Sequence, residues 1–208
     1  MLEPSDGRLL VWRRPVAQLH DCPHKLSFVF QSPTLMPWAS VQTNVRLPLD
    51  LAGVPRKEAD ARVMESLALV GLEKFADALP RALSGGMQMR VSIARGLVTQ
   101  PDLLLMDEPF GALDEITRHK LDADLLELWR KKKLTVIFVT HSIHEAVFLS
   151  NRVVMMAARP GRVVEQFQID EPYPRSADFM VTPEFARHAK RLQDSLLRAS
   201  NADEEYAR

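Results

Sequence analysis

The chain has 208 residues, and its 27 Lys+Arg against 27 Asp+Glu leave no formal net charge. That balance argues against attachment to nucleic acid or anionic lipid through bulk charge, while a 46% hydrophobic content is enough to bury one sizeable core. No run approaches the ~18 uninterrupted apolar residues of a membrane span, and a single cysteine, Cys22, excludes an intrachain disulfide and fits a reducing compartment.

Glu3, Asp6, Arg8, Arg13 and Arg14 break up the start, which is not the pattern of a secretory signal. Leu9 to Trp12 and Val16-Ala17, around Arg13-Arg14-Pro15, predict a hairpin, and Leu26 to Phe30 a stronger strand. Pro33, Pro37 and Pro48 predict a mostly irregular stretch with one helical turn over 41–45. Ala59, Val63, Leu67 and Val70 then recur at helical spacing, with Pro55 suited to the first helical position and Gly71 to the C-terminal cap. A further helix is expected after Gly86, ending before Pro101.

Leu103 to Met106 reads as a buried strand, and Leu121, Leu125, Leu128 and Trp129 as one face of a helix closed by Lys131 to Lys133. Thr135 to Thr140 is a second apolar strand, Ile143 to Leu149 a helix, and Val153 to Ala157 with Val163 to Phe167 a strand pair around Pro160-Gly161. Helices alternating with wholly apolar strands predict a parallel α/β sheet covered on both faces. Pro172, Pro174 and Pro183 mark a linker. Phe185, Ala189, Leu192 and Leu196 then form the apolar side of a C-terminal helix whose other sides carry Arg187, Lys190, Arg191 and Arg198.

Four polar groups each end a strand or open a helix. Asp107 and Glu108 follow the strand Leu103 to Met106, where carboxylates face the crevice at the C-terminal edge of a parallel sheet. Asp107 suits Mg²⁺, a hard cation that prefers oxygen, and Glu108 suits polarising a water that attacks a phosphoryl group. Ser84-Gly85-Gly86 before a helix bares backbone N–H groups to a phosphate. His141 and Gln31 each follow a strand in the same manner.

In this order, the four resemble the ATP-binding subunits of ABC transporters over about Leu2 to Val164. Leu83 to Gly86 resembles the family's signature motif, Leu103 to Asp107 with Glu108 its Walker B and catalytic glutamate, and Gly111-Ala112-Leu113-Asp114 its D-loop. Gln31 is similar to the Q-loop glutamine, and Thr140-His141 to the switch histidine. The runs Phe30 to Trp38, Phe110 to Asp114 and Ala158 to Val163 resemble the nitrate, sulfonate and taurine importer branch. Ser142, where the family often has Asp, and Gln88-Met89, where Arg-Gln is common, depart from its pattern.

The resemblance implies a P-loop NTPase-type (RecA-like), mostly parallel α/β sheet over 1–170, with an inserted helical subdomain at about 40–100 and a linker, helix and tail over 171–208. It implies ATP and Mg²⁺ as cofactors, Glu108 and His141 as catalytic residues, and Asp107 with Gln31 at the metal. Gln31, Ser84, Gly85, Gly86, Gln88, Asp107 and Asp114 are implied to contact nucleotide, the signature residues reaching a partner subunit's. The implied partners are permease subunits, a second ATPase subunit and, indirectly, a solute-binding protein, at the cytoplasmic face of the membrane; nucleic acid is not among them.

One departure is decisive: G-x-x-x-x-G-K-[S/T] occurs nowhere in the 208 residues, and Leu2 to Arg8 resembles the segment that normally follows the Walker A helix. Three readings follow. The chain is an importer ATPase whose start has been lost, a non-catalytic half lending its signature to a complete partner, or an ABC ATPase outside transport.

Bland readings cover the remaining motifs. His20, Cys22 and His24 would share one face if extended, but a zinc site needs a fourth ligand. His141, His144 and Glu145 have helix-face ligand spacing, explained better by the switch histidine. Met87, Met89, Met106, Met155 and Met156 read as core filler.

Overall fold

The computed structural model describes residues 6–132, 134–158 and 161–206. Expectations on Leu2 to Ser5, on Lys133 and on Arg159-Pro160 lie outside the described residues.

Strands β1 (Leu10–Val11) and β2 (Arg14–Pro15) form a minimal antiparallel hairpin. Its two turn residues, Trp12 and Arg13, both have positive φ, at 49° and 63°, as a tight hairpin turn demands. Val16-Ala17, expected as the return strand, instead opens a 3₁₀ helix over Val16–Asp21. Pro15 has no N–H with which to extend the ladder. The same helix removes the extended geometry that would have aligned His20, Cys22 and His24.

Three parallel strands form the central sheet in the order β3 (Leu26–Val29), β4 (Leu103–Asp107), β5 (Thr135–Val139). Their register aligns Phe28, Leu105 and Ile137 in one row. Since side chains alternate along each strand, Val29, Met106 and Phe138 face the opposite side. That side holds the main core.

Helices α1 (Val41–Leu51), α2 (Arg56–Leu69), α3 (Gly85–Leu97) and α4 (Glu115–Lys132) all contribute to that core. The full eleven-residue α1 corrects the expectation of a largely irregular stretch. Ser40 caps it, accepting from Thr43 N–H, and Val41, Val45 and Leu49 are buried. Burial of that face outweighs the one backbone hydrogen bond that Pro48 cannot make. Pro55 sits at the N-cap of α2, one place earlier than expected. Gly71, at φ 69°, ends the helix in the left-handed conformation that glycine adopts without penalty. Helix α3 crosses the sheet closely, because a Cβ at Gly96 would lie 3.3 Å from Val29 Cγ2 and 3.5 Å from Leu104 Cδ1.

A second cluster joins α5 (Ile143–Leu149), β6 (Arg152–Ala158), β7 (Gly161–Gln168) and α6 (Pro183–Tyr206). Strands β6 and β7 pair antiparallel as their own sheet, with a register shift between Met155 and Met156. Phe185 and Leu192 of α6 are buried there, while Arg187, Lys190 and Arg191 pair at the surface with Glu184, Asp194 and Glu165. Arg175 pins the proline-rich connection, donating to the carbonyls of Val147, Phe148 and Ser150 at 2.8–3.0 Å, groups that the end of α5 leaves without helical partners. Met89, Met106 and Met155 are core residues, whereas Met156 is 61% exposed.

The sheet departs from two-sided cover. Phe28 (40%), Phe30 (51%), Ile137 (54%) and Val139 (49%) are exposed, all on the face opposite the main core, and β5 has no partner on its outer edge among the described residues. An apolar face beside an unpaired strand edge recruits other chains. The isolated chain is therefore expected to self-associate at micromolar concentration, and Ile137→Thr with Val139→Thr to reduce this. A monodisperse monomer by sedimentation velocity would contradict the expectation.

Candidate functional site

The carboxyl ends of the three parallel strands assemble the site. Gln31, Glu108 and His141 each stand just past a strand of the sheet, so parallel pairing alone brings residues distant in sequence to one edge. Glu108 is the centre. Its carboxylate accepts from Gln31 Nε2 at 3.2 Å and meets His141 Nε2 at 2.6 Å. The imidazole is 86% exposed, against 23% for the carboxylate, so the pair faces solvent from a supported base.

The backbone at Glu108 is unusual. Its φ is +43°, a left-handed conformation that costs a branched or long side chain energy and concentrates at functional sites. The turn is held from both sides: Glu108 N–H donates to Val139 O at 2.9 Å, and Gly111 N–H to Glu108 O at 3.1 Å. Gly111 also lets the turn approach its neighbours, since a Cβ there would lie 3.4 Å from Glu108 O and 3.6 Å from Gln31 Nε2.

Asp107 ends β4, is exposed, and pairs in register with Val139. By strand alternation it shares the bare face of the sheet with Phe28 and Ile137. The loop after Gln31 is firmly anchored. Arg95 donates to Pro33 O and Thr34 O at 2.8 and 2.9 Å, and buried Asn44 accepts from Met36 N–H at 2.7 Å while donating to Met36 O and Ala39 O. Beyond this anchor, Trp38 is 78% exposed.

Ser84, Gly85 and Gly86 do not join the Glu108 cluster; Gly85 and Gly86 face Leu113 and the start of α4. A Cβ at Gly86 would lie 2.6 Å from Thr117 Cγ2, and one at Gly85 3.6 Å from Leu113 Cδ2. Gly86 is thus buried by helix packing. Ser84 Oγ caps α3, accepting from Met87 N–H at 3.3 Å. Gln88 spends its amide on Pro80 O and Leu83 O at 3.1 and 3.3 Å, which braces the loop from inside. Asp114 caps α4, accepting from Thr117 N–H at 3.0 Å, and that backbone hydrogen bond holds its carboxyl below the usual range. His144 lies beside Phe185, at 5.5 Å between ring centres. Glu145 turns inward to Thr140 and Arg118, so the ligand spacing of His141, His144 and Glu145 does not converge.

A family model for ABC transporters matches residues 1–111. An ATP-binding protein of Brucella abortus (strain 2308) is 46% identical over 192 residues, covering 92% of this chain and 73% of its own length. The chain belongs to the ABC transporter ATP-binding family. The taurine import ATP-binding protein TauB of Rhizobium johnstonii is 52% identical over 80% of this chain and 62% of its own length. Among solved structures, the dimeric, post-hydrolysis ATP-binding cassette MJ0796 bound to ADP and Pi matches with a TM-score of 0.67 at 31% identity, over 82% of this chain and 76% of that one. The α/β architecture is that of an ABC ATPase.

Sequence reasoning missed three supporting residues of the site, Arg95, Asn44 and Arg118, and read Glu145 only within a ligand spacing. Arg95 and Arg118 act through partners far along the chain, Pro33 and Thr34 for the one and Glu145 for the other, while Asn44 braces a nearby loop that no motif marks.

Proposed function

We propose that Gln31, Asp107, Glu108 and His141 form the water-activating edge of an ATPase that energises an importer for a small anionic solute of the taurine, sulfonate or nitrate kind. The observation that carries this reading is the left-handed Glu108, held between Gln31 and His141. A backbone cost is retained where it aims a carboxylate at a reacting group. The solute class rests on the taurine-import relative and on the resemblance of Phe30 to Trp38, Phe110 to Asp114 and Ala158 to Val163 to that branch.

The residues fit one end of MgATP. Gln31 commits its amide nitrogen to Glu108, which leaves its carbonyl oxygen for a cation, and this oxygen and the Asp107 carboxylate at the end of β4 are donors of the kind that suits Mg²⁺. Bound MgATP would supply the phosphoryl electrophile and the charge that stabilises its transfer. Glu108 then accepts a proton from the attacking water, while His141 orients that water and fixes the carboxylate. Ser84, Gly85 and Gly86, on the separate surface beside α4, serve the nucleotide of a second ATPase subunit in a head-to-tail dimer. The anchored loop from Pro33 to Trp38 couples the site to permease subunits at the cytoplasmic face of the membrane, with a solute-binding protein acting beyond them. Among the described residues no helix is long and apolar enough to cross a membrane, which suits a peripheral subunit.

The 208 residues contain no G-x-x-x-x-G-K-[S/T] to wrap the β- and γ-phosphates. By this reading they alone bind MgATP weakly, and a preceding P-loop segment of the family restores binding and hydrolysis. Calorimetry and phosphate release on the chain with and without the added segment test this. Micromolar affinity in the 208 residues alone would refute the weak-binding claim; binding without turnover in the extended chain would refute the water-activating role.

A further inference from the structure

Behind the exposed Glu108–His141 pair lies a polar network that the proposed chemistry does not use. Two loops carry the pair. One runs from Glu108 to Asp114 after β4, the other from Thr140 to Ser142 after β5. Each loop is gripped from beneath by a different side chain, and the two side chains meet.

Arg118, in the first turn of α4, holds the first loop. Its Nε donates to Phe110 O at 3.3 Å and its Nη2 to Leu113 O at 2.8 Å. Glu145, buried on α5 at 4% exposure, holds the second. Its Oε2 accepts from the Thr140 hydroxyl, whose oxygen in turn accepts from Ser142 N–H at 2.9 Å. Glu145 N–H also donates to Ser142 Oγ at 3.3 Å. Arg118 Nε and Glu145 Oε1 then close the chain as an ion pair at 3.6 Å. A buried carboxylate demands its partners, because losing one leaves charge without solvation. The two grips are therefore not independent.

We propose that Arg118, Glu145 and Thr140 are positioning residues that lock the Glu108 loop and the His141 loop into one unit. The functional meaning rests on the reading of Glu108 and His141 as the reacting pair. The mechanical claim does not, and it is testable without nucleotide. Thr140 is the useful probe: among the described residues its hydroxyl bonds to the second loop and Glu145. Although Glu108 also meets His141 and Val139 O directly, Leu113 reports on the Arg118 route because Arg118 holds its carbonyl.

The test is amide hydrogen exchange on the full chain, read at Gly111 and Leu113, whose N–H groups bond to Glu108 O and Phe110 O. Thr140→Val is expected to speed exchange at both amides about tenfold, the scale of coupling carried by packed polar networks. Glu145→Gln, nearly isosteric, should do the same, and Thr140→Ser, which keeps the hydroxyl, should restore parent rates. Unchanged exchange at Leu113 in both Thr140→Val and Glu145→Gln overturns the proposal. So does an increase shared equally by α1 and α2, which would mark general loosening. Absence of ATP hydrolysis in the chain extended by a P-loop segment would bear on the functional reading alone and leave these rates untouched.

Discussion

Glu108→Gln, in the chain extended by a P-loop segment, keeps ATP binding and slows hydrolysis by three orders of magnitude or more, about the scale of a lost general base. The amide preserves size and can still meet Gln31 and His141, which lie 3.2 and 2.6 Å from the carboxylate oxygens. It cannot take a proton from water at neutral pH. Asp107→Asn behaves differently. On the proposed reading it removes the charged ligand of Mg²⁺, so Mg²⁺-dependent binding itself weakens. The Gln variant is also expected to accumulate an ATP-bound dimer, because on the same reading the signature surface around Ser84 to Gly86 holds a phosphate that is no longer cleaved. Single-turnover hydrolysis and sizing with ATP measure both effects. Near-parent turnover in Glu108→Gln would leave Glu108 as a structural turn carboxylate.

How much of this could be read beforehand depended on whether the cause was local. Apolar runs gave β3, β4 and β5, and helical spacing gave α2, because strand and helix periods are properties of neighbouring residues. Site residues that end strands were legible for the same reason, since parallel pairing converts "after a strand" into "at one edge". Helix α1 was not legible. Pro48 carries a strong local signal against a helix, and what overrides it is burial of Val41, Val45 and Leu49 against distant elements. Bare cover over Phe28 and Ile137 was equally hidden, because an apolar strand reads the same whether or not something lies on it. Gly86 shows the subtler limit. Its sequence suggested exposed N–H groups, yet its missing Cβ is explained by Thr117 at 2.6 Å. Both demands fall on the same residue, and only packing reveals the second.

Stability should fall, not rise, as pH climbs from about 4 to about 7, and Asp122 is the reason. This carboxylate of α4 is 1% exposed, and its Oδ1 has no hydrogen-bond partner among the described residues. Burial first, and the charge of Glu145 second, push its pKa from 3.8 up to about 7, against the opposing pull of Arg118. Between those values the folded chain holds a proton that the unfolded chain has released. Raising pH through the window therefore favours unfolding, by up to about 1.4 kcal/mol per unit of pKa difference. Surface carboxylates act in the other direction and at lower pH. Glu127, drawn down to about 2 chiefly by its hydrogen bond with Arg130, favours folding only above its own range. The two windows barely overlap. Asp122→Asn removes the buried titration without changing shape. It should gain stability over the parent at pH 8, by several kcal/mol at most, and match it near pH 4. Urea midpoints at half-unit pH steps would show the parent curve sloping and the Asn curve flat between 4 and 7. Parallel curves would mean that Asp122 is ionised in the folded chain throughout, stabilised by Arg118 despite its burial.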